Sequence, residues 1–469
     1  MTITTYEAPS ERTEHAPAEA AASAEPVAVP EVPRRRLVLA LPTRTLPLFL
    51  LLLAAGAVTL LFVSLTVHRW DVEELRTNSL AMRSHFQTTY WLEHGYFQSG
   101  GLLVSTSAAK PVFFYRSSTG GVYLSGFLAQ KVFSLFTGRY SWRLMALHNE
   151  IFLLITSTLV ALLGFQLARR LGAHPLHALT LAICLQAVHF TFPDNQMTYW
   201  EMSARIPWLL FVCVFLLIEV RCLDGRTRTL SVAQALAAFA LTYMEFIAGI
   251  TFIVSYAVVS VLLTPDPRPW KRVLLIGILP MLLALGVYRG QLAWVHFQHP
   301  AIPMDGSELL FRTGLDGSVQ YYADHADIYA RRDVIQKAVF PKAGPWLFRW
   351  KWLFFAGSAA LLGILGLAMR GRVLTIVVVS LLSMLGSYLL DAAFFSQAVF
   401  IHPYLYDVML FTPLVVALLV IAPTLLEGVT EHRGIAIAAV FFVAVWVSTV
   451  QLRHYAMLYP APPAVEASK

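Results

Sequence analysis

Ser231–Leu263 reads SVAQALAAFALTYMEFIAGITFIVSYAVVSVLL, about 33 almost wholly apolar residues. That is long for one membrane span and short for two, because a helix needs about 20 residues to cross the hydrocarbon core. Basic residues decide the matter. Arg169 and Arg170, then Arg221, Arg226 and Arg228, then Arg268, Lys271 and Arg272, then Arg370 and Arg372, then Arg433 punctuate the apolar runs. They fall on one side of a membrane only if Ser231–Leu263 crosses twice, as a hairpin turning near Tyr243, Met244 and Glu245. A single crossing would put the later basic loops outside, against the positive-inside tendency. The double crossing also brings Glu245 to a surface turn, away from the lipid interior where a carboxylate is costly.

The rest of the topology follows. Hydrophobic residues make up 57% of the chain and charged residues 13%, about half the charge of a soluble domain. The chain is therefore a polytopic membrane protein. Its net charge of +7 is scattered through short loops, so it marks topology and not a nucleic-acid partner. A first span runs from about Leu46 to Val67, too late and too long for a cleaved signal peptide. Arg34, Arg35, Arg36 and Arg44 before it place the N-terminus in the cytoplasm. Further spans fall near 146–168, 176–192, 205–221, 272–294, 351–369, 373–394, 405–425 and 434–452. The expected fold is all-α: a helical bundle of about eleven spans, N-terminus inside and C-terminus outside, with a long helical first outer loop. Residues 1–45 form a cytoplasmic tail, its first 33 or so rich in Ala, Pro and Glu and of disordered composition. Residues 46–455 form the membrane domain, and 456–469 a short C-terminal tail. The three cysteines make no disulfide framework.

This topology sends the polar loops outside. The first, 69–145, opens with Asp71, Glu73 and Glu74 just past Trp70. The second holds TFPDNQMTYWEMSA, Thr191 to Ala204, with Asp194 and Glu201. The third, 295–350, holds YYADHADIYARRD, and the fourth ends in FIHPY. Carboxylates at a membrane surface can act as a base toward a lipid-borne substrate; they can equally cap the helix that follows, since acids favour a helix N-terminus. Asp324, His325 and Asp327 offer three potential ligands on one loop without a fourth at a known metal spacing. With Arg331, Arg332 and Asp333 they suit a salt-bridged helix, so a divalent metal is the less favoured reading and no other cofactor is expected. Aromatics such as Tyr90, Trp91, Tyr96 and Trp200 suit interface anchoring. A Walker-type loop, a G-x-S-x-G elbow and a Cys/His zinc pattern are all missing from the sequence.

WDVEELRTNSLAMRSHF (Trp70–Phe86), WLEHGYFQSGG (Trp91–Gly101), KPVFFY (Lys110–Tyr115) and LFTGRYSWRL (Leu135–Leu144) follow in order in the first loop. Together with HPYLYDVMLFTP, His402 to Pro413, they resemble the GT-C membrane glycosyltransferases. The likeness is to the branch of aminoarabinose-to-lipid A transferases and protein O-mannosyltransferases. That family carries an acidic pair after span one, a Gly-containing turn, a Lys-Pro-Pro stretch and an Arg-Leu entering span two. Here Val112 replaces the second Pro, and the acidic pair is Glu73-Glu74 or involves Asp71.

The resemblance implies an inverting enzyme in the cytoplasmic (inner) membrane, acting at its periplasmic or outer face. Its partners would be a polyprenyl-phosphate-linked sugar donor and an envelope acceptor that is a lipid, a glycan or a protein. It implies a base among Asp71, Glu73 and Glu74, with Asp194 the next acidic candidate. It implies Lys110 for the donor phosphate, and Tyr115, Arg116, Arg143, His402 and Tyr404 as further substrate contacts. Each has a plainer reading: Lys110 as an exposed loop lysine, Asp194 beside Pro193 as a turn residue, Arg143 as a helix-end anchor. Two other classes stand beside the enzyme: a flippase for a lipid-linked glycan, and an envelope-assembly scaffold on a degenerate GT-C fold.

Overall fold

A computed structural model describes residues 42–66, 83–107, 110–192, 205–264, 268–300, 372–394 and 403–429, with scattered helical positions between 434 and 449. Backbone contacts divide the chain into Met1–Arg44 and Thr45–Lys469; apart from the first residues of α1, the elements below belong to the second unit. The chain is a helical membrane protein. Five described helices are long and apolar enough to cross a bilayer: Thr45–Val63, Trp142–Arg170, Ile206–Asp224, Phe246–Leu263 and Pro269–Gln298.

In chain order the elements are α1 (Pro42–Thr66), α2 (Arg83–His94), β1 (Leu102–Ser107), β2 (Lys110–Thr119), α3 (Gly121–Thr137) and α4 (Trp142–Arg170). Then come α5 (Pro175–Thr191), α6 (Arg205–Arg221), α7 (Arg228–Met244) and α8 (Phe246–Leu263). The next is α9 (Pro269–Gln298), interrupted by a π-helical turn at Leu274–Ile278. Last are α10 (Arg372–Phe394), α11 (Pro403–Val416) and, after a second π turn at Ala417–Ile421, α12 (Ala422–Val429). These bounds track the apolar runs. The expected span at 351–369 lies outside the described residues.

Ser231–Leu263 is broken where expected. Glu245 has an extended backbone between α7 and α8, and a Cβ on Gly249 would land on the Thr242 backbone. Residues seven apart in one continuous helix are separated by about 10 Å along its axis, so this closeness means the chain has turned back. Glu245 is buried, but by protein: its carbonyl accepts the Gly249 N–H at 2.7 Å.

The reversal brings basic residues from separate loops to one end. Arg170 and Arg221 both bond Asp224, at 2.5 and 2.7 Å. Arg226 and Arg272 both pair with the buried Glu219, at 2.9 and 3.3 Å. Gln234 completes the cluster, donating to Glu219 at 2.8 Å and accepting from Arg226 at 2.9 Å. A carboxylate so deeply enclosed needs this company, since leaving either charge unpaired would be costly.

The core lies between α4, α5, α6, α8 and α10. Trp208, Phe215, Phe252 and Tyr256 stack edge to face at 4.9–6.1 Å, the geometry that aromatic quadrupoles favour. α8 and α10 run antiparallel and close: Thr251 and Ser387 share a hydrogen bond of 2.9 Å, and Gly386 leaves room for Ser255. Small residues and interhelical hydroxyls are the usual means of tight packing where lipid offers no hydrophobic drive.

One expectation changes. Among its described residues the first outer loop is helical in α2 and α3 but not throughout, because β1 and β2 form an antiparallel hairpin, with Ser105 opposite Phe113 and Ser107 opposite Lys110. LLVSTS and KPVFFYRSST are rich in branched, aromatic and hydroxyl residues that fit a pleated ribbon better than a helix.

Candidate functional site

The first loop builds a layer over the end of the bundle opposite the arginine clusters. α2 presents Trp91, fully buried, whose indole N–H donates to the Leu102 carbonyl at 3.2 Å. Tyr96 and Phe127 close around it at 5.0 and 6.0 Å. Trp91 therefore belongs to the core of this layer and is not the interface anchor its composition suggests. The turn from α2 to β1 uses left-handed glycines, Gly95, Gly100 and Gly101, which other residues adopt only under strain. Gly120 touches the Gly101 carbonyl so closely that any side chain there would overlap it.

Four side-chain contacts fasten the layer to the bundle. Trp294 of α9 donates to the Phe97 carbonyl at 2.8 Å. Within the bundle, Gln291 of α9 donates to the Tyr243 hydroxyl of α7 at 2.7 Å, beside the α7–α8 reversal, and so sets the hydroxyl that Tyr96 of the layer meets. Ser125 of α3 meets His148 of α4 at 2.9 Å. Gln130 of α3 bonds both the N–H and the carbonyl of Ser141, whose own hydroxyl caps α4 by accepting from Leu144. Tyr96 also bonds Tyr243, and burial, reinforced by Tyr243, raises its phenol above the ordinary tyrosine range.

Only part of the expected constellation can be placed. Asp71, Glu73, Glu74, Asp194 and His402 lie outside the described residues, as do Asp324, His325 and Asp327. Lys110, Tyr115 and Arg116 are brought onto one strand, β2, with Lys110 at its start beside the hairpin turn. Arg143 stands on the first turn of α4, exposed, its guanidinium 5.7 Å from the Trp142 ring. That contact fits the helix-end reading. Tyr404 lies in the first turn of α11. Among the described residues no three His, Cys, Asp or Glu side chains gather as a metal site.

The structure adds carboxylates that the motif reading passed over. Glu150 on α4 and Asp391 on α10 are fully buried, inside helices that otherwise read as plain spans. Asp391 lies one turn beyond Ser387 and so near the loop end of α8, about 6 Å farther along the axis. Asn149 beside Glu150 is also buried. Their signal was present in the sequence: an ionisable residue within an apolar span is expensive and by default functional.

No protein-family model matches the chain, and no curated protein matches it. Among solved structures, the oligosaccharyltransferase of Archaeoglobus fulgidus, crystallised with a tethered acceptor peptide containing the NVT sequon, is similar. The similarity covers 90% of this chain and 56% of that one, at 12% identity and a TM-score of 0.46. The chain thus spans little more than half the length of that enzyme. A likeness at this level carries no conclusion about activity.

Proposed function

We propose that the protein is a membrane glycosyltransferase of the GT-C type, moving a sugar from a polyprenyl-phosphate donor to an envelope acceptor. The reaction is placed at the outer face of the cytoplasmic membrane, with the arginine-clustered end inside. One observation carries the reading. The described parts of the quoted first-loop motifs fall in successive elements of a single layer: α2 with its glycine turn, the β1–β2 hairpin with Lys110 at the start of β2, then the end of α3 and the start of α4 at Trp142-Arg143. Contacts from Trp294, Ser125, Gln130 and Tyr96 close that layer over the bundle.

The chemistry then follows from charge. The acceptor hydroxyl or amine attacks the anomeric carbon from the face opposite the lipid phosphate. The carbon–oxygen bond breaks, and polyprenyl phosphate leaves with the electron pair. Asp71 or Glu73 takes the acceptor proton, which a carboxylate of raised pKa in a dry site does well. Lys110, with Arg116 and Arg143 as further cations, stabilises the departing phosphate. Tyr115, His402 and Tyr404 are assigned to sugar and phosphate contacts, and Asp194 is the second acidic candidate.

Replacing Asp71 by Asn and Glu73 by Gln, singly and together, tests the assignment. Transfer should fall by a factor of 100 or more in the double variant, as general-base loss implies (roughly 10²–10⁴), while membrane insertion and melting temperature stay unchanged. Full activity in both singles and the double would sink it. A second reading, transport of a lipid-linked glycan, draws on Glu150 and Asp391, since transporters place ionisable residues on their spans. It predicts movement of donor across a sealed bilayer with its sugar–phosphate bond intact.

A further inference from the structure

α3 is apolar on both sides. Its inner face, Val122, Tyr123 and Phe127, is buried against the loop layer. Leu128, Val132, Leu135 and Phe136, at i, i+4, i+7 and i+8, form a second ridge along one helical face. That ridge points away from the protein, with Leu135 77% and Phe136 85% exposed. A contiguous apolar ridge of this kind marks an interaction surface, and at 17 residues α3 is short for a span.

Position and charge say what covers it. Gln130 holds α3 to Ser141, the cap of α4, so the second half of α3 lies level with the first turn of that helix. α4 has 29 residues, about 43 Å of helix against a hydrocarbon core of roughly 30 Å. Its first turn, with Trp142, therefore stands in the headgroup zone, which suits Trp. Leu147 and Ile151, one and two turns further on, are exposed apolar residues of the span. From Gly121 to Asn149 the chain carries Lys131, Arg139 and Arg143, all exposed, and no Asp or Glu.

We propose that α3 is an interfacial helix whose ridge, Leu128, Val132, Leu135 and Phe136, seats at the boundary of acyl chains and headgroups, with Lys131 and Arg139 against anionic phosphates. Partly buried apolar faces flanked by cations bind membranes in this way. α3 is then held on two sides, by Ser125 and Gln130 to the start of α4 and by its ridge to lipid. The inference is independent of the reaction proposed above.

Phe136→Cys and Leu135→Cys can each carry an environment-sensitive fluorophore, because Cys184, Cys213 and Cys222 are all buried. The full chain is placed in nanodiscs of phosphatidylglycerol or of phosphatidylcholine, with labels at Glu93→Cys and Leu147→Cys as aqueous and lipid references. The ridge labels should be quenched best by lipids spin-labelled near the headgroup. Iodide should quench them several-fold less than the Glu93 site. Lipid quenching should be greater in phosphatidylglycerol, and the Lys131→Gln/Arg139→Gln pair should remove that difference. Iodide access equal to the Glu93 site overturns the proposal, and so does shielding from both quenchers, which would mean a protein segment or second copy covers the ridge. Equal quenching in the two lipids overturns the assigned headgroup chemistry.

Discussion

The Gln130 amide has both ends fixed by one peptide neighbour. Its oxygen accepts the Ser141 N–H at 3.1 Å, and its nitrogen donates to the Ser141 carbonyl at 2.6 Å. The second amide hydrogen faces His85 Nδ1 at 3.3 Å, so that ring nitrogen must be the unprotonated acceptor. Burial of His85 lowers its pKa from the ordinary 6.5, in keeping with a neutral ring. A base whose folded pKa is depressed has its full stability above the unfolded value. As pH falls through 6.5, the unfolded chain takes up a proton that the folded chain resists, and stability drops until the folded value is reached. The melting temperature in detergent should therefore decline between pH 7 and 5. His85→Gln, which keeps an acceptor but cannot titrate, should flatten that slope; an unchanged slope would remove His85 as its cause.

Among the elements, the α7–α8 reversal is the one on which the topology turns. Val at Gly249 would drive two methyl groups into the Thr242 backbone, so Gly249→Val should cost about 1–3 kcal/mol, read as lost thermal stability. At the other end Glu219→Ala strips the partner from Arg226 and Arg272. A cost of about 3 kcal/mol is expected, the low end for a broken buried pair, because Arg226 keeps 26% of its side-chain exposure. An effect under about 0.5 kcal/mol, within the range of a plain surface substitution, would contradict the clamp. The reversal was legible because a carboxylate at position 245 had no cheap place in mid-lipid, and the flanking arginines asked for an even number of crossings. The hairpin was not. KPVFFY reads as a motif, but its β character depends on pairing with a strand that no helical or alternating period announces. Glu150 and Asp391 escaped for a related reason: one acid among some twenty apolar residues barely alters a span, while its burial makes it conspicuous. Trp91 shows the converse, since composition alone cannot tell a loop-layer core from an interface belt.

At the scale of the whole molecule, a bundle closed at one end by arginine–carboxylate clusters and at the other by a folded loop has two chemically unlike ends. The proposed reaction uses the second. Its lipid substrate would reach the layer from the bilayer and its acceptor from the water, past the candidate cations on β2 and at the head of α4. The purified protein in proteoliposomes, offered a panel of polyprenyl-phosphate sugars with and without envelope acceptors, tests this most directly when free polyprenyl phosphate is measured. The account predicts acceptor-dependent release from at least one donor. Donors that cross the bilayer with every sugar–phosphate bond intact, and no release from any of them, would contradict it.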